Sequence, residues 1–385
     1  MTNGRILSAA GALVGAAIVI AGVLVAPAAI AISYLVALTA TLAVVTGTLL
    51  LVMIAHLSNA TWFVLLRRRA EAVVGALPAL AVLAVPLMLV PHAFWPWAAP
   101  FDALPAALQE ALRYKRTYFQ PAFFIARAIV YWIVWVSVGE RLRRASLTQD
   151  TAADRVPSAR FRALSAAGIP LVALAMTFAS FDWMMSLSPA WSSTLYGLYY
   201  VIGGLVSAVA VVAVLARVVP AARDEWSPTP EHVHALGSLT LAFVLLWGYL
   251  WYSQFFIIWI ADIPREAAWL LDRMRGGWRV VGLAVLANGF AVPVCVLLFR
   301  AAKRSAVVMA LLGVWLLAVH YVDTYWLLVP SVRREWSPMH LLWDLGAVAF
   351  VAGTAAAVAM WRHSTVPPVA VGDPLLHWSS RYEMH

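Results

Sequence analysis

Residues 28–56 read AAIAISYLVALTATLAVVTGTLLLVMIAH, with no charged side chain before the closing His56. As a helix at ~1.5 Å per residue this stretch would run roughly 43 Å, longer than the ~30 Å hydrocarbon core of a bilayer. Leu, Val, Ile and Ala follow one another without the apolar–polar alternation of a barrel strand, so the segment reads as a membrane-spanning helix. Outward from it, apolar runs bounded by charged or turn residues recur at 6–26, 73–95, 121–139, 162–181, 194–216, 233–261, 277–299, 305–330 and 339–361. Together they predict ten spans and an all-α polytopic membrane protein. Composition agrees: of 385 residues 63% are hydrophobic and 12% charged, with mean hydropathy +0.84, against roughly 25% charged in soluble domains. Ten spans leave no room for a separate soluble domain, which excludes an enzyme with its own nucleotide fold.

The lone cysteine, Cys295, excludes an internal disulfide, an iron–sulfur cluster and covalently attached haem. The first apolar run exceeds the roughly 7 to 15 residues of a secretory-signal core and is expected to remain as a span. An even number of spans puts both termini on one side. The loops of that side, counting Arg67, Arg68, Arg69 and Arg155, hold nearly twice the Lys and Arg of the opposite loops, which include Arg273 and Arg334. The termini are therefore expected in the cytoplasm, and the net charge of +9 is loop charge rather than a nucleic-acid footprint. On the opposite side, Leu104, Leu108 and Leu112 follow Asp102 at four-residue spacing, and 262–276 has an early Pro264 and a closing Gly276; both read as short interfacial helices. Trp95, Trp97, Trp183, Trp191, Trp259, Trp269 and Trp336 fall near span ends there, as an interfacial belt does. The tail 362–385 is expected to be solvated or draped on a partner.

An ionisable residue inside a span is costly and marks function by default. Arg127 lies a turn or two into span 4, Asp182 closes span 5, His320 and Asp323 lie late in span 9, and His340 and Asp344 early in span 10. Chain direction brings all six to the half of the membrane away from the termini. His92 at the end of span 3, and Ser253, Gln254 and Asp262 in the last turns of span 7, fall at the same depth. Asp182 and Asp323 are the expected proton-handling carboxyls, with Arg127 as the guanidinium that holds one of them charged. A structural reading fits the same residues: one buried bridge, with the others capping helix ends. No histidine pair recurs on facing helices, so no haem is expected on the chain itself. His232 and His234 point to different faces of a helix start and read as solvated; His56 either caps a helix or passes protons at the inner side. No inner-half carboxylate is among these candidates, which weakens a continuous proton path.

The segment Phe181-Asp182-Trp183-Met184-Met185-Ser186-Leu187-Ser188-Pro189-Ala190-Trp191-Ser192-Ser193-Thr194-Leu195-Tyr196-Gly197, followed by Tyr199 and Tyr200, resembles a stretch of the membrane subunits of the polysulfide-reductase (NrfD-like) family. A second match runs from His234-Ala235-Leu236-Gly237 through Trp247 and Ser253-Gln254-Phe255-Phe256-Ile257-Ile258-Trp259-Ile260-Ala261-Asp262-Ile263-Pro264-Arg265-Glu266 to Trp269. That pattern is similar to the second such subunit of the bacterial alternative complex III, a quinol:cytochrome c oxidoreductase. Less specific matches are Asn59-Ala60-Thr61-Trp62, Phe123-Phe124-Ile125-Ala126-Arg127 and Val322-Asp323-Thr324-Tyr325-Trp326. The chain departs from the family where it often has Asn, at Asp262, and Glu, at Arg265.

The resemblance implies two four-helix bundles, residues 28–190 and 191–332, flanked by helices in 1–27 and 333–361 and followed by a cytoplasmic tail, 362–385. It implies a place in the bacterial inner membrane and no metal or haem on this chain, with quinone or quinol as the ligand. Haem c and iron–sulfur clusters would sit in partners: a periplasmic iron–sulfur subunit and multihaem cytochromes c. A homologous NrfD-like membrane subunit, small membrane subunits and a terminal oxidase complete the implied partners. On this footing His92, Ser253, Gln254, Asp262, His320, His340 and Asp344 would line a quinone site or a proton path around Asp182, Asp323 and Arg127. Quinol oxidation releases two protons with its electrons, so a carboxyl or histidine near the acceptor side supplies the base. Two roles stay open, quinol binding here or proton conduction beside a homologue that oxidises the quinol. The rivals are a secondary transporter, suggested by Pro78, Pro86 and Pro91 in span 3 and Pro293 in span 8, and a structural scaffold.

Overall fold

The computed structural model describes residues 2–151, 158–220, 223–333 and 338–383. Arg155, Arg334 and Trp336, each given a loop or belt place above, lie outside the described residues. Ten helices are long and apolar enough to cross a membrane: Gly4–Val25, Pro27–Leu57, Thr61–Leu89, Pro121–Thr151, Ala159–Leu187, Leu195–Val218, Pro230–Ala261, Gly276–Leu298, Ala306–Ser331 and Pro338–Ser364, spans 1 to 10. No strand occurs among the described residues. Pro27, Pro121, Pro230, Pro264 and Pro338 each open a helix, where the missing N–H would be unpaired anyway.

Span 2 is the axis. Every residue from Ile30 to Ala40 is buried, as suits a helix apolar all round, and it touches spans 1, 3, 5, 6, 9 and 10. Spans 2 and 6 cross backbone against backbone: a Cβ on Gly47 would stand 2.1 Å from the Gly204 carbonyl oxygen. Lipid tails are as apolar as Leu, so such close approach, rather than hydrophobic exclusion, holds helices together in a membrane. Around this crossing, spans 2, 3, 4 and 5 meet in sequence and 5 returns to 2; spans 6, 7, 8 and 9 do likewise and 9 returns to 6. Spans 1 and 10, the chain's extremes, pair with each other and lean on spans 2 and 3. A Cβ on Gly346 would stand 2.2 Å from the Ile18 side chain, so this pair too is set by a small residue.

Two spans are interrupted. Span 3 breaks between Leu77–Leu83 and Val85–Leu89, and the Leu83 carbonyl next to Pro86 accepts from Tyr34 Oη at 2.6 Å. Span 8 contains a π-helical turn, Ala287–Ala291, before Pro293. Both interfacial helices form, as Ala106–Leu112 and Pro264–Arg273, with Leu112 and Trp269 turned inward.

Several expectations are overturned at the face that carries the termini. Span 3 starts at Thr61, not 73, because Arg67, Arg68 and Arg69 are 3%, 1% and 1% exposed on a packed helix rather than solvated in a loop. Hydropathy excluded them; ion pairing admits them. Arg67 meets Glu71 and Asp373, Arg68 meets Glu71 and Asp150, and Arg69 donates to the carbonyls of Leu65 and Val219 at 2.8 and 2.9 Å. Buried acids therefore do occur at this face. The tail packs on its own chain: Val369 and Ala370 are fully buried, and the Gly372 N–H donates to Asp150 at 3.0 Å. His232 is fully buried, closing a capping box with Thr229 and meeting the Ser379 carbonyl at 3.0 Å.

Candidate functional site

The polar residues singled out in the outer half do not form one cluster. They divide among three places at the face opposite the termini, and each is built differently.

The first joins spans 4 and 5. Asp182 ends its helix with a fully buried side chain, and Arg127 grips it at both oxygens, Nε to Oδ2 at 2.8 Å and Nη2 to Oδ1 at 2.9 Å. Tyr118 and Tyr131 donate one hydroxyl to each oxygen, at 2.7 and 2.8 Å. The guanidinium also donates to the Tyr118 carbonyl and lies over the Tyr118 and Phe123 rings. Burial, and then the Asp182 charge, pushes the Tyr118 phenol well above its ordinary value, so it stays a donor. Four donors, two of them from the bidentate guanidinium, thus converge on this one carboxyl.

The second lies among spans 6, 7, 8 and 9. Asp323 is 3% exposed and both its oxygens accept from Tyr199 Oη, at 2.8 and 2.9 Å. The Trp247 indole is turned to the same carboxyl. No ion pair reaches Asp323 among the described residues. His320, one turn earlier on the same face, meets the Ala40 carbonyl of span 2 at 3.2 Å, and Tyr200 donates to the neighbouring Thr39 carbonyl at 2.8 Å. Two small cavities flank the Tyr199–Asp323 pair. One, of about 20 Å³, is lined by Gly203, Trp247, Gly289 of the π turn, His320 and Asp323. The other, of about 30 Å³, is lined by Tyr196, Tyr199, Trp251, Gln254, Trp269 and Trp326. Gln254 there accepts from Ser193 Oγ at 2.6 Å, and Trp269 stacks on Trp191 at 4.0 Å. A water needs roughly 10–15 Å³, so these spaces admit water molecules.

The third lies where span 10 meets spans 2 and 9. Asp344 is 5% exposed and accepts from Ser33 Oγ of span 2, with Tyr321, Tyr325, Arg333 and His340 around it.

The remaining candidates stand apart from these three. His92 is exposed in a 3-10 turn beyond the end of span 3, and Asp262 is an exposed left-handed cap at φ +46° closing span 7. Ser253 is half-buried beside Gln254. Conversely, sequence reading passed over Tyr199, Tyr131 and Tyr118 as carboxyl partners and took Arg273 for loop charge. Arg273 is 1% exposed, donates to the Trp269 and Leu327 carbonyls and lies 3.7 Å over the Trp269 ring, fastening the interfacial helix to span 9. The pair Trp269 and Arg273 at helical i,i+4 spacing was the available signal. Neither a scan against protein-family models nor a search of curated proteins returns a match.

Proposed function

We propose that the chain is a proton-handling membrane subunit of a quinol-oxidising respiratory complex of the alternative complex III type, with Asp323 as the exchanging carboxyl. The motif resemblance supplies the class of complex. One observation carries the choice of role: Asp323 is buried among neutral donors, with no cation, beside cavities of water size. A lone buried carboxylate is costly, and a proton removes that cost; water in the flanking cavities can deliver it. The small size of the cavities beside Asp323 favours proton conduction at that carboxyl, with the quinol oxidised on a homologous subunit and electrons passed to iron–sulfur and haem c partners.

The deciding measurement is turnover with external pH recording on the assembled complex carrying Asp323→Asn. Assembly with lowered turnover or lost proton release is expected; wild-type values for both would leave the chain a scaffold. Orientation is tested separately. The excess of basic loops at the termini predicts that a cysteine at exposed Thr148 is labelled from the cytoplasm and one at exposed Ala106 from the periplasm of the bacterial inner membrane. The reverse pattern would put Asp323 in the cytoplasmic half.

A further inference from the structure

Span 9 has two polar faces. His320 and Asp323, three apart, face the cavity among spans 6, 7 and 8, whereas Tyr321 and Tyr325, four apart, face span 10. On that second face the hydroxyls of Tyr321 and Tyr325 are buried; Tyr325 lies at the edge of hydrogen-bond reach of Asp344 and Arg333, and Tyr321 lies within electrostatic reach of Asp344 without a hydrogen bond. Arg333 gives its Nη2 to the Ala29 carbonyl, while its Nη1 is buried without a partner. Among the described residues no ion pair joins Arg333 to Asp344, although the Arg333 charge reaches the Asp344 carboxyl. Two tyrosine hydroxyls, a guanidinium nitrogen and a carboxyl thus converge on one seam, with the Tyr321 hydroxyl and Arg333 Nη1 left without a partner. Ser33 Oγ donates to the Asp344 carboxyl there. Groups buried in this way are normally bridged by ordered water.

We propose that this seam is a second proton-exchange site, in which Asp344 takes up and releases a proton through water held by Tyr321, Tyr325 and Arg333. In uptake a hydronium in the seam loses an O–H bond and becomes water as an Asp344 oxygen gains one; release is the reverse, and no electron moves. Arg333 balances the charge of the carboxylate form. The groups facing Asp344 are Ser33 from span 2, Tyr321 and Tyr325 from span 9, Arg333 from the loop after span 9, and His340 from span 10 itself. The seam joins the pair of spans 1 and 10 to the body of the protein, outside the helices that enclose Asp323, and the inference does not rest on the quinol reading.

Infrared difference spectroscopy on the purified full chain, stepped through pH in H2O and D2O, tests it. A protonated-carboxyl C=O band that titrates and shifts on deuteration is expected. Asp344→Asn should abolish that band, Asp323→Asn should leave it, and Tyr325→Phe with Tyr321→Phe should displace it. A band indifferent to Asp344→Asn, or no titrating band in the wild type beyond one removed by Asp323→Asn, would overturn the proposal. Should Asp344→Asn fail to fold, the double Phe variant keeps the carboxyl, and an unmoved band in it overturns the proposal equally. A merely structural Asp344 would alter thermal stability without giving a titrating band.

Discussion

Asp182 and Asp323 are the same residue type, each almost fully buried and each near the same end of its span, yet their surroundings are opposites. Asp182 receives a bidentate guanidinium and two phenols. Asp323 receives one phenol and an indole, with water-sized cavities alongside. The bidentate ion pair makes the first carboxyl a clamp that pins span 4 to span 5. The second has neutral partners, which is the condition the proposed proton exchange requires. Burial alone therefore does not mark a working carboxyl; the kind of partner does.

The largest expected effect is at the saturated site. Arg127→Ala strands the Asp182 charge and should lower unfolding free energy by about 3–5 kcal/mol, read as lost yield and a depressed thermal midpoint in detergent. An unchanged midpoint would erase the contrast between the two sites. Asp182→Asn keeps the shape but removes hydrogen bonds to a charged group, for about 1.5–3 kcal/mol. Asp323→Asn should cost about 1 kcal/mol or less in the same unfolding assay, because it disturbs neutral contacts, even as it lowers proton-coupled turnover. If it destabilised as much as Asp182→Asn, Asp323 too would be a structural anchor. Tyr199→Phe removes only the hydroxyl bonded to Asp323, and about 1 kcal/mol of stability with it.

The smallest effect lies beside the first site, in the loop. Burial, and then the nearby Arg265, lowers the Lys115 amine below its ordinary value. The unfolded chain then binds more protons between that lowered value and ~10.4, so stability should rise with pH across this window. Lys115→Met should flatten that alkaline slope, and a slope unaltered by it would show that Lys115 is solvated.

How far the site was legible varies residue by residue. Arg127 and Asp182 were legible because a charge within an apolar run stands out, and a lone arginine there needs an acid. Tyr199, Tyr131 and Tyr118 were not, since a tyrosine near a span end reads equally well as an interfacial anchor. Arg67 to Arg69 misled the reading: three adjacent arginines look like a loop until Glu71, Asp150 and Asp373 are brought to them from positions up to 306 residues away.

The sequence by itself determined that the chain is helical, with ten segments long and apolar enough to cross a membrane. Backbone groups in hydrocarbon must be paired within the segment, so the length of each apolar run dictates both helix and span. It also placed Arg127, Asp182, Asp323 and Asp344 toward one face, through chain direction alone. Only the tertiary structure decided which carboxyl meets the guanidinium and which meets only phenol and indole. It alone decided that the chain's extremes pair and that the tail folds back on the buried arginines. Those outcomes depend on which helix faces meet, and in lipid, where every span is apolar, that is set by close approach at glycines such as Gly47 and Gly204 and by polar partners distant in sequence.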